Sequence, residues 1–296
     1  MRRFISEIML LITTLIWGLA FVWQNVASKV LGSFTVVGIR AFIAVILLLA
    51  IVKLLPDLYK SQDPKLKIKG FKNQNIILSF ACGLALFLGM YIQQLGVAYT
   101  TASKAGFISV LYICIVPLIG LALGHRINKF FLIGLLLSVT GLYLLSIKGD
   151  FTLEYGDFLI LLSTFLFAAH ILVIDYSATR VNSMYLSIGQ LVTVAAFSLT
   201  FAFFVEGFVW ENIMSVAKEL LALGVLSSGL AYTLQIIGQR NVPANTASLI
   251  LSLEAVFATL GGVFILNEVL STREISGMVL LFIGILVAQI KVKSST

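Results

Sequence analysis

Few side chains of this sequence could do chemistry, and the most unusual of them lies inside a long apolar run. Glu254 stands about ten residues into such a run, roughly 15 Å along a helix at 1.5 Å per residue. An ionised carboxylate at that depth in lipid costs at least about 2.5 kcal/mol, so it must be neutral, paired or hydrated. Glu254 is therefore predicted to accept a proton or bind the amine of a solute, or else to hydrogen-bond with a neighbouring helix.

Other polar and aromatic residues at similar depth could also contact a solute. Tyr112 offers a flat apolar face with one hydroxyl, and it could equally pack against the next helix. Buried glutamines need partners, so they predict interhelical bonds or the lining of a cavity. His170 could exchange protons near neutral pH, although a single histidine can be structural. The candidate substrate-binding residues are Glu254, Tyr112, Gln93, Gln94, Tyr91, Tyr232, Gln235, Trp17 and Ser252, and the candidates for proton coupling are Glu254 and His170.

The sequence offers little support for a metal site or for catalysis. Cys82 and Cys114 both lie inside apolar runs and are expected to be core residues. His125 and His170 are too few and too far apart to suggest zinc. No phosphate-binding glycine loop, HExxH or GxSxG pattern occurs, and Asp, His and Arg do not cluster near one membrane face. We therefore expect no catalytic residue, no cofactor and no metal.

The elements that position these residues are predicted to be membrane-spanning helices. The 296 residues are 60% hydrophobic and 11% charged, more apolar than a single soluble core could bury. A run of about 20 apolar residues is needed to cross a hydrocarbon layer of about 30 Å. The sequence predicts an all-α integral membrane protein with ten spans. They are 5–23, 34–55, 76–97, 102–123, 130–147, 156–176, 184–205, 220–238, 244–266 and 275–290.

The second half of the chain repeats the first. The stretch 96–108 recurs 142 residues later at 238–250, and a weaker match at an offset of 150 places 11–40 over 161–190. These offsets place Tyr112 on Glu254. They divide the chain into two five-span repeats, 1–148 and 149–296. Because five is odd, the second repeat must enter the bilayer from the opposite face, which predicts two inverted repeats.

Basic residues indicate the orientation. Most Lys and Arg residues outside the spans fall on the side that holds both termini, so both termini are expected to be cytoplasmic. The net charge of +7 then reflects topology and contact with anionic lipid, and it does not predict a nucleic-acid partner. Arg40 lies about six residues inside the second span, near its outer end. It is expected to snorkel to the headgroups or to pair structurally, in preference to binding an anion.

Several segments carry a family resemblance. The segment 105–120, AGFISVLYICIVPLIG, followed by 134–145, resembles the first repeat of EamA-domain transporters of the drug/metabolite transporter superfamily. The segment 252–258, SLEAVFA, followed by Asn267-Glu268, resembles the second repeat. Trp17-Gly18 and Arg40 also fit. The resemblance implies a ten-helix, multi-pass transporter of the bacterial inner-membrane type that moves small metabolites, amino acids or drugs outward.

The chain departs from the family pattern at two places. Ala255 follows Glu254 where the family often has proline. His125-Arg126 ends the fourth span where the first repeat often has an acidic residue. A symmetric role for Glu268 is therefore not expected.

The leading functional hypothesis is an alternating-access carrier with a midplane cavity between the repeats, exporting small metabolites such as amino acids or drug-like amines. An importer of a vitamin or nucleotide-like solute is the alternative within this class. Alternatives outside the carrier class are a channel or receptor and a membrane-embedded enzyme. A channel would typically have a selectivity filter or a ring of charged side chains. The expected partners are a small-molecule substrate and membrane lipids, with no nucleic acid, and the chain is expected to act as a monomer or homodimer.

Overall fold

The computed structural model describes residues 2–61, 73–100, 102–122, 124, 127–146, 154–266, 271–288 and 290. Every regular element within these ranges is helical. In chain order the α-helices are α1 Arg2–Ser28, α2 Ser33–Leu54, α3 Pro56–Ser61, α4 Gln74–Val97, α5 Ala102–Ser109, α6 Tyr112–Ala122, α7 Lys129–Ser146, α8 Tyr155–Ser177, α9 Ser183–Phe201, α10 Trp210–Ser215, α11 Ala217–Ala222, α12 Tyr232–Gln239, α13 Ala244–Leu251, α14 Glu254–Leu266 and α15 Thr272–Ala288.

Seven helical stretches of the described chain are long and apolar enough to cross a membrane, which makes this a multi-pass membrane protein. Two shorter apolar stretches, Lys129–Leu144 and Ala244–Leu260, fall on the predicted fifth and ninth spans. The seven long stretches are Arg2–Ser28, Ser33–Leu54, Gln74–Val97, Ala105–Ala122, Tyr155–Ser177, Ser183–Glu206 and Ala217–Gln239.

Two of these stretches contain π-helical segments, in which each backbone amide reaches one residue further back than in an α-helix. The first π-segment, Ala202–Glu206, ends the stretch that α9 begins. The second π-segment, Leu223–Ala231, joins α11 to α12. The predicted eighth span, 220–238, therefore starts three residues earlier than expected and changes helix type within the membrane. Segments of this kind are rare and occur frequently at functional sites.

Two other helices are interrupted at equivalent positions of the two halves. Val110 and Leu111 separate α5 from α6, and Ser252 and Leu253 separate α13 from α14, 142 residues later. At each interruption the backbone forms tighter bonds between residues three apart, such as Leu253 N to Ile250 O at 3.1 Å. Tyr112 and Glu254 are consequently the first residues of α6 and α14.

Glycines allow close helix contacts where the chain packs α7 against α15. A Cβ built on Gly134 would lie 2.4 Å from the Gly284 carbonyl oxygen, and one on Gly141 would lie 2.6 Å from that of Gly277. Such backbone contact gives van der Waals energy in lipid, where the hydrophobic effect between helices is absent. Gly134, Gly141, Gly277 and Gly284 therefore hold α7 and α15 together.

Large apolar side chains cover the outer surface of the bundle. Leu136 is 68% exposed, Phe203 66% and Phe204 78%. So many exposed apolar side chains would be unfavourable in contact with water. The buried apolar core lies inside the bundle and includes Phe21, Leu86, Ile113 and Leu281. This distribution suits lipid outside and packed helices inside.

Candidate functional site

A cavity lies between the helices, with an empty volume of about 490 Å³ that includes its open part. Residues of α1, α2, α4, α5, α6, α8, the second π-segment, α12 and α14 line it. Most of these residues are polar or aromatic, although they are buried within an apolar bundle. The lining consists of Trp17, Ala20, Gln24, Arg40, Gln93, Ser109, Tyr112, Phe167, His170, Ile171, Ser227, Tyr232, Gln235 and Glu254.

Most of the residues selected from the sequence meet at this cavity. Three of them, Gln94, Tyr91 and Ser252, lie outside its lining. These residues are far apart in the sequence and come from six different helices, so the fold is what brings them together. Those in the lining are Trp17, Gln93, Tyr112, His170, Tyr232, Gln235 and Glu254.

The three residues outside the lining have other contacts. The Gln94 Nε2 donates to the Gln24 carbonyl oxygen at 3.2 Å, joining α4 to α1. Tyr91 stacks on Phe34 with ring centroids 3.9 Å apart. The Ser252 hydroxyl donates to the Leu249 carbonyl oxygen of its own helix at 2.7 Å. These bonds and the stacking fit structural roles.

Glu254 is 5% exposed and has no direct polar partner in the described part of the chain. Its carboxylate makes no hydrogen bond or ion pair with any of the residues that the structure describes. It does interact electrostatically with Tyr112 and Tyr232. The hydrogen bond to a neighbouring helix, considered from the sequence as the structural explanation, is thus not found in the described part of the chain. A carboxylate in this setting needs a proton, water or a cationic ligand.

Aromatic residues form one wall of the cavity. The rings of Trp17 and Tyr232 lie with centroids 4.8 Å apart, and Tyr232 meets His170 edge to face at 6.0 Å. The Tyr112 hydroxyl is buried without a hydrogen-bond partner in the described chain. An unpaired buried hydroxyl is costly, and a bound solute or water would satisfy it.

Arg40 differs from its sequence-based expectation, because it does not extend toward the headgroups. It is 3% exposed and lines the cavity. Its Nε donates to the Ser228 Oγ at 2.8 Å, and its Nη2 donates to the Ser227 Oγ at 2.7 Å. No ion pair to Arg40 exists among the described residues. The structure agrees with the expected structural pairing of Arg40, and its partners are two serine hydroxyls.

Sequence reasoning did not select Gln24, Ser109, Ser227 or Phe167. Ser109 accepts a hydrogen bond from the Gln93 Nε2 at 2.9 Å, across from α4 to α5. Ser109 lies three residues before Tyr112, a spacing that places two residues on one face of a continuous helix, and this spacing was a usable signal. Phe167 stands opposite Trp17 at the offset of 150, which was also available from the sequence. Nothing in the sequence marked Ser227, because its position depends on the second π-segment.

Residues from equivalent positions of the two halves lie together in the lining. Four such pairs follow the two offsets found in the sequence, which means that neither half forms the cavity alone. The pairs are Trp17 with Phe167 and Ala20 with His170 at 150, and Gln93 with Gln235 and Tyr112 with Glu254 at 142.

His170 has a fixed partner. Its Nε2 lies 2.9 Å from the Oε1 of Gln190, a buried residue of α9. An amide oxygen only accepts, so the Nε2 carries the hydrogen and a neutral ring presents Nδ1 as an acceptor. Gln190 stands at the offset of 150 from Arg40, so the two halves use this position differently.

The described residues include no group of three or more His, Cys, Asp or Glu that could hold a metal ion. Cys82 is buried and Cys114 partly buried, and both are free thiols. Because His125, Arg126, Asn267 and Glu268 lie outside the described residues, the structure does not bear on them.

The chain is similar in sequence to a family of membrane transporters. The model of the EamA-like transporter family matches residues 4–147 and again 154–289. An uncharacterized transporter of Archaeoglobus fulgidus is 30% identical over 292 residues, covering 98% of this chain and 88% of that protein. An uncharacterized transporter of Methanothermobacter thermautotrophicus is 22% identical, covering 95% of this chain and 85% of its own length.

A solved crystal structure has the same fold. It superposes with a TM-score of 0.76 and covers 96% of both chains. Its sequence identity is 16%, so the likeness concerns the fold alone.

Proposed function

This chain belongs to the EamA-like transporter family, as its sequence motifs implied, and on that premise we propose that it is an alternating-access carrier whose substrate site is the central cavity. The family makes it a transporter and a multi-pass membrane protein. The solute that we propose is a small metabolite such as an amino acid, or a drug-like amine. The proposed direction is outward, across the cytoplasmic membrane.

The observation that carries the proposal is the composition of the cavity. Polar side chains such as Gln93, Gln235 and Glu254 are buried there, where each unsatisfied group costs free energy. Buried ionisable residues such as Glu254 mark pathways for substrates and ions in membrane proteins, and buried glutamines bond between helices or line cavities. Paired contributions from both halves fit a carrier in which the halves move against one another around a fixed site.

The proposed architecture is ten spans in two inverted five-helix repeats, with both termini cytoplasmic. The two separate family matches, 4–147 and 154–289, support a division near residue 148. The equivalent interruptions before Tyr112 and Glu254 support the same division. Interrupted helices near the midplane are typical of substrate sites in carriers with inverted repeats.

Glu254 and His170 are the proposed proton-coupling groups. Both lie in the lining, and neither forms an ion pair with a described residue. A proton gradient could therefore act on the same cavity as the solute. In this arrangement the proton and the solute bind at the same residue, Glu254, so the binding of one changes the affinity for the other.

Proteoliposomes test the proposal directly. The purified protein should catalyse uptake and efflux of members of a panel of labelled amino acids and cationic amines, and a pH gradient should change the rates. Ala20→Phe, which fills the cavity, should lower flux, while the exposed Ala98→Phe serves as its control. An intact preparation that moves none of the panel would contradict the carrier proposal.

A further inference from the structure

We propose that Arg40 is an anion-binding residue of the cavity and that the carried solute is a zwitterion, with its carboxylate on Arg40 and its amino group on Glu254. This inference rests on the proposed carrier function and narrows its substrate class. It also assigns Arg40 a role that its sequence position did not predict.

The guanidinium of Arg40 has unused donors. An arginine side chain carries five N–H groups, and the two hydroxyls of Ser227 and Ser228 each accept one hydrogen bond. The described chain supplies no carboxylate to this cation. A buried, planar guanidinium with free N–H groups is suited to bidentate binding of a carboxylate.

The serine pair is held in place by the second π-segment. The Trp17 Nε1 donates to the Ser227 carbonyl oxygen at 3.2 Å, and the Thr13 hydroxyl donates to the Ala231 carbonyl oxygen at 3.2 Å. Gly224 brings this segment against α2, since a Cβ there would lie 2.6 Å from the Ile43 side chain. The hydroxyls that orient Arg40 are therefore fixed by α1 and α2 together.

Ser227 adds a further donor. Its hydroxyl accepts from Arg40, so its own hydrogen is free to point toward the cavity that the residue lines. An anion on Arg40 would then receive bonds from the guanidinium and from a neutral hydroxyl. This combination favours a carboxylate over an uncharged group.

Arg40 and Glu254 carry opposite charges but do not neutralise each other directly. Both line the same cavity, and no nitrogen of Arg40 lies within 4.0 Å of a Glu254 oxygen. A solute with both charges would supply the missing counter-ion to each residue. A solute with one charge leaves the other buried residue unmatched, which is unfavourable in a low-dielectric site.

The test compares three solutes that share one side chain: an α-amino acid, the amine without its carboxylate, and the acid without its amino group. Substrate counterflow in proteoliposomes measures the half-saturation concentration of each solute. Quenching of Trp17 fluorescence, with Trp23 and Trp210 replaced by phenylalanine, measures binding. We expect the wild-type protein to prefer the α-amino acid. Arg40→Gln should raise its half-saturation concentration about tenfold or more, a factor that corresponds to about 1.4 kcal/mol.

The same substitution should leave the amine nearly unaffected, because the amine has no group for Arg40 to bind. Arg40→Lys should retain part of the preference, since lysine keeps the charge and loses the planar geometry. Arg273→Gln, at an exposed arginine, is the matched control and should change neither value. If Arg40→Gln fails to fold, the double variant Ser227→Ala, Ser228→Ala takes its place.

The outcomes separate this inference from the carrier proposal. If the wild-type protein carries the amine as well as the α-amino acid, or if Arg40→Gln weakens both equally, the zwitterion assignment is overturned and the carrier stands. If the wild-type protein moves none of the three solutes or any member of the wider panel, both proposals are overturned.

Discussion

The guanidinium of Arg40 and the carboxylate of Glu254 line one cavity without forming an ion pair. Direct pairing would have closed the site and satisfied both charges. Their separation leaves two buried groups whose best partner is a ligand with two charges. The central cavity therefore contains two buried charged groups that the described residues leave without an ion-pair partner.

Glu254→Gln should lower the rate of transport at least tenfold while leaving the amount of protein in the membrane unchanged. The amide keeps the shape of the side chain and removes the charge that would bind an amine or a proton. Initial rates of counterflow, normalised to protein content, provide the measurement. Glu211→Gln changes an exposed glutamate of α10 and should transport normally.

The same variant should respond less to a pH gradient. Where wild-type flux changes with the gradient, Glu254→Gln flux should change less, because His170 is then the one proposed proton-coupling group that remains. Flux measured between pH 5.5 and 8.5 would reveal this. Wild-type rates and wild-type pH dependence in Glu254→Gln would rule Glu254 out as the coupling group.

Ser227→Ala should weaken binding of the zwitterion about tenfold without changing the binding of the matching amine. A hydrogen bond to a charged group contributes about 1.5–3 kcal/mol, and here its loss also frees Arg40 to move. Binding curves from Trp17 quenching measure the effect. Ser276→Ala removes an exposed hydroxyl of α15 as the control. Equal weakening of the amine would show that Ser227 acts only through general packing.

Gly141→Ala should destabilise the protein by about 1–3 kcal/mol, since the added methyl group would lie 2.5 Å from the Leu281 backbone nitrogen. Gly106→Ala is the matched control, because its methyl group would meet Ala258 at an ordinary 3.6 Å. Both changes gain the same helix propensity, so their difference isolates the contact. Thermal unfolding in detergent measures the difference. Equal melting temperatures would show that the packing of α7 against α15 accommodates the added methyl group.

Glu206→Ala should loosen the start of α2. The carboxylate of Glu206 accepts hydrogen bonds from the Phe34 and Thr35 amides at 2.9 and 2.8 Å and from the Thr35 hydroxyl at 2.7 Å. Loss of such a cap costs about 0.5–2 kcal/mol. Hydrogen exchange at residues 34 and 35 should accelerate, whereas Glu211→Ala should leave it unchanged. Unchanged exchange in Glu206→Ala would show that the Glu206 carboxylate does not stabilise this end of α2.

Much of the candidate site could be predicted from the sequence, because polar residues are costly in lipid and those inside a membrane span therefore stand out. Glu254, Gln93, Gln235 and Tyr112 stood out for their depth in apolar runs, and the structure brings all four to one cavity. The repeat offset of 142 relates Tyr112 to Glu254 and Gln93 to Gln235 in the sequence itself. The family assignment also followed from local motifs, and the family match confirms it.

Depth alone could not tell which side of a helix a residue occupies. Gln93 and Gln94 are adjacent, but successive residues turn by about 100°, so one lines the cavity and the other bonds to α1. Ser252 lies outside the lining for a related reason, since the helix is interrupted at that residue. Such turns depend on tertiary packing that the apolar pattern does not record.

The sequence also did not predict where the charged side chain of Arg40 points. Its position near a span end favoured snorkelling, and the alternative required two hydroxyls presented by a π-segment nearly 190 residues later. No local pattern predicts that segment, because Leu223–Ala231 reads as an ordinary apolar helix. Long-range contacts of this kind decide which buried charges face the cavity.

Protection of a cavity cysteine tests most directly whether the solute occupies this cavity. Gln93→Cys is introduced after Cys82 and Cys114 are replaced by alanine, with the exposed Ala98→Cys as the control. Modification by a small thiol reagent is timed with and without a transported zwitterion. We predict that the zwitterion slows modification of Gln93→Cys and leaves Ala98→Cys unaffected. An unchanged rate at Gln93→Cys, in protein that still transports the zwitterion, would contradict it.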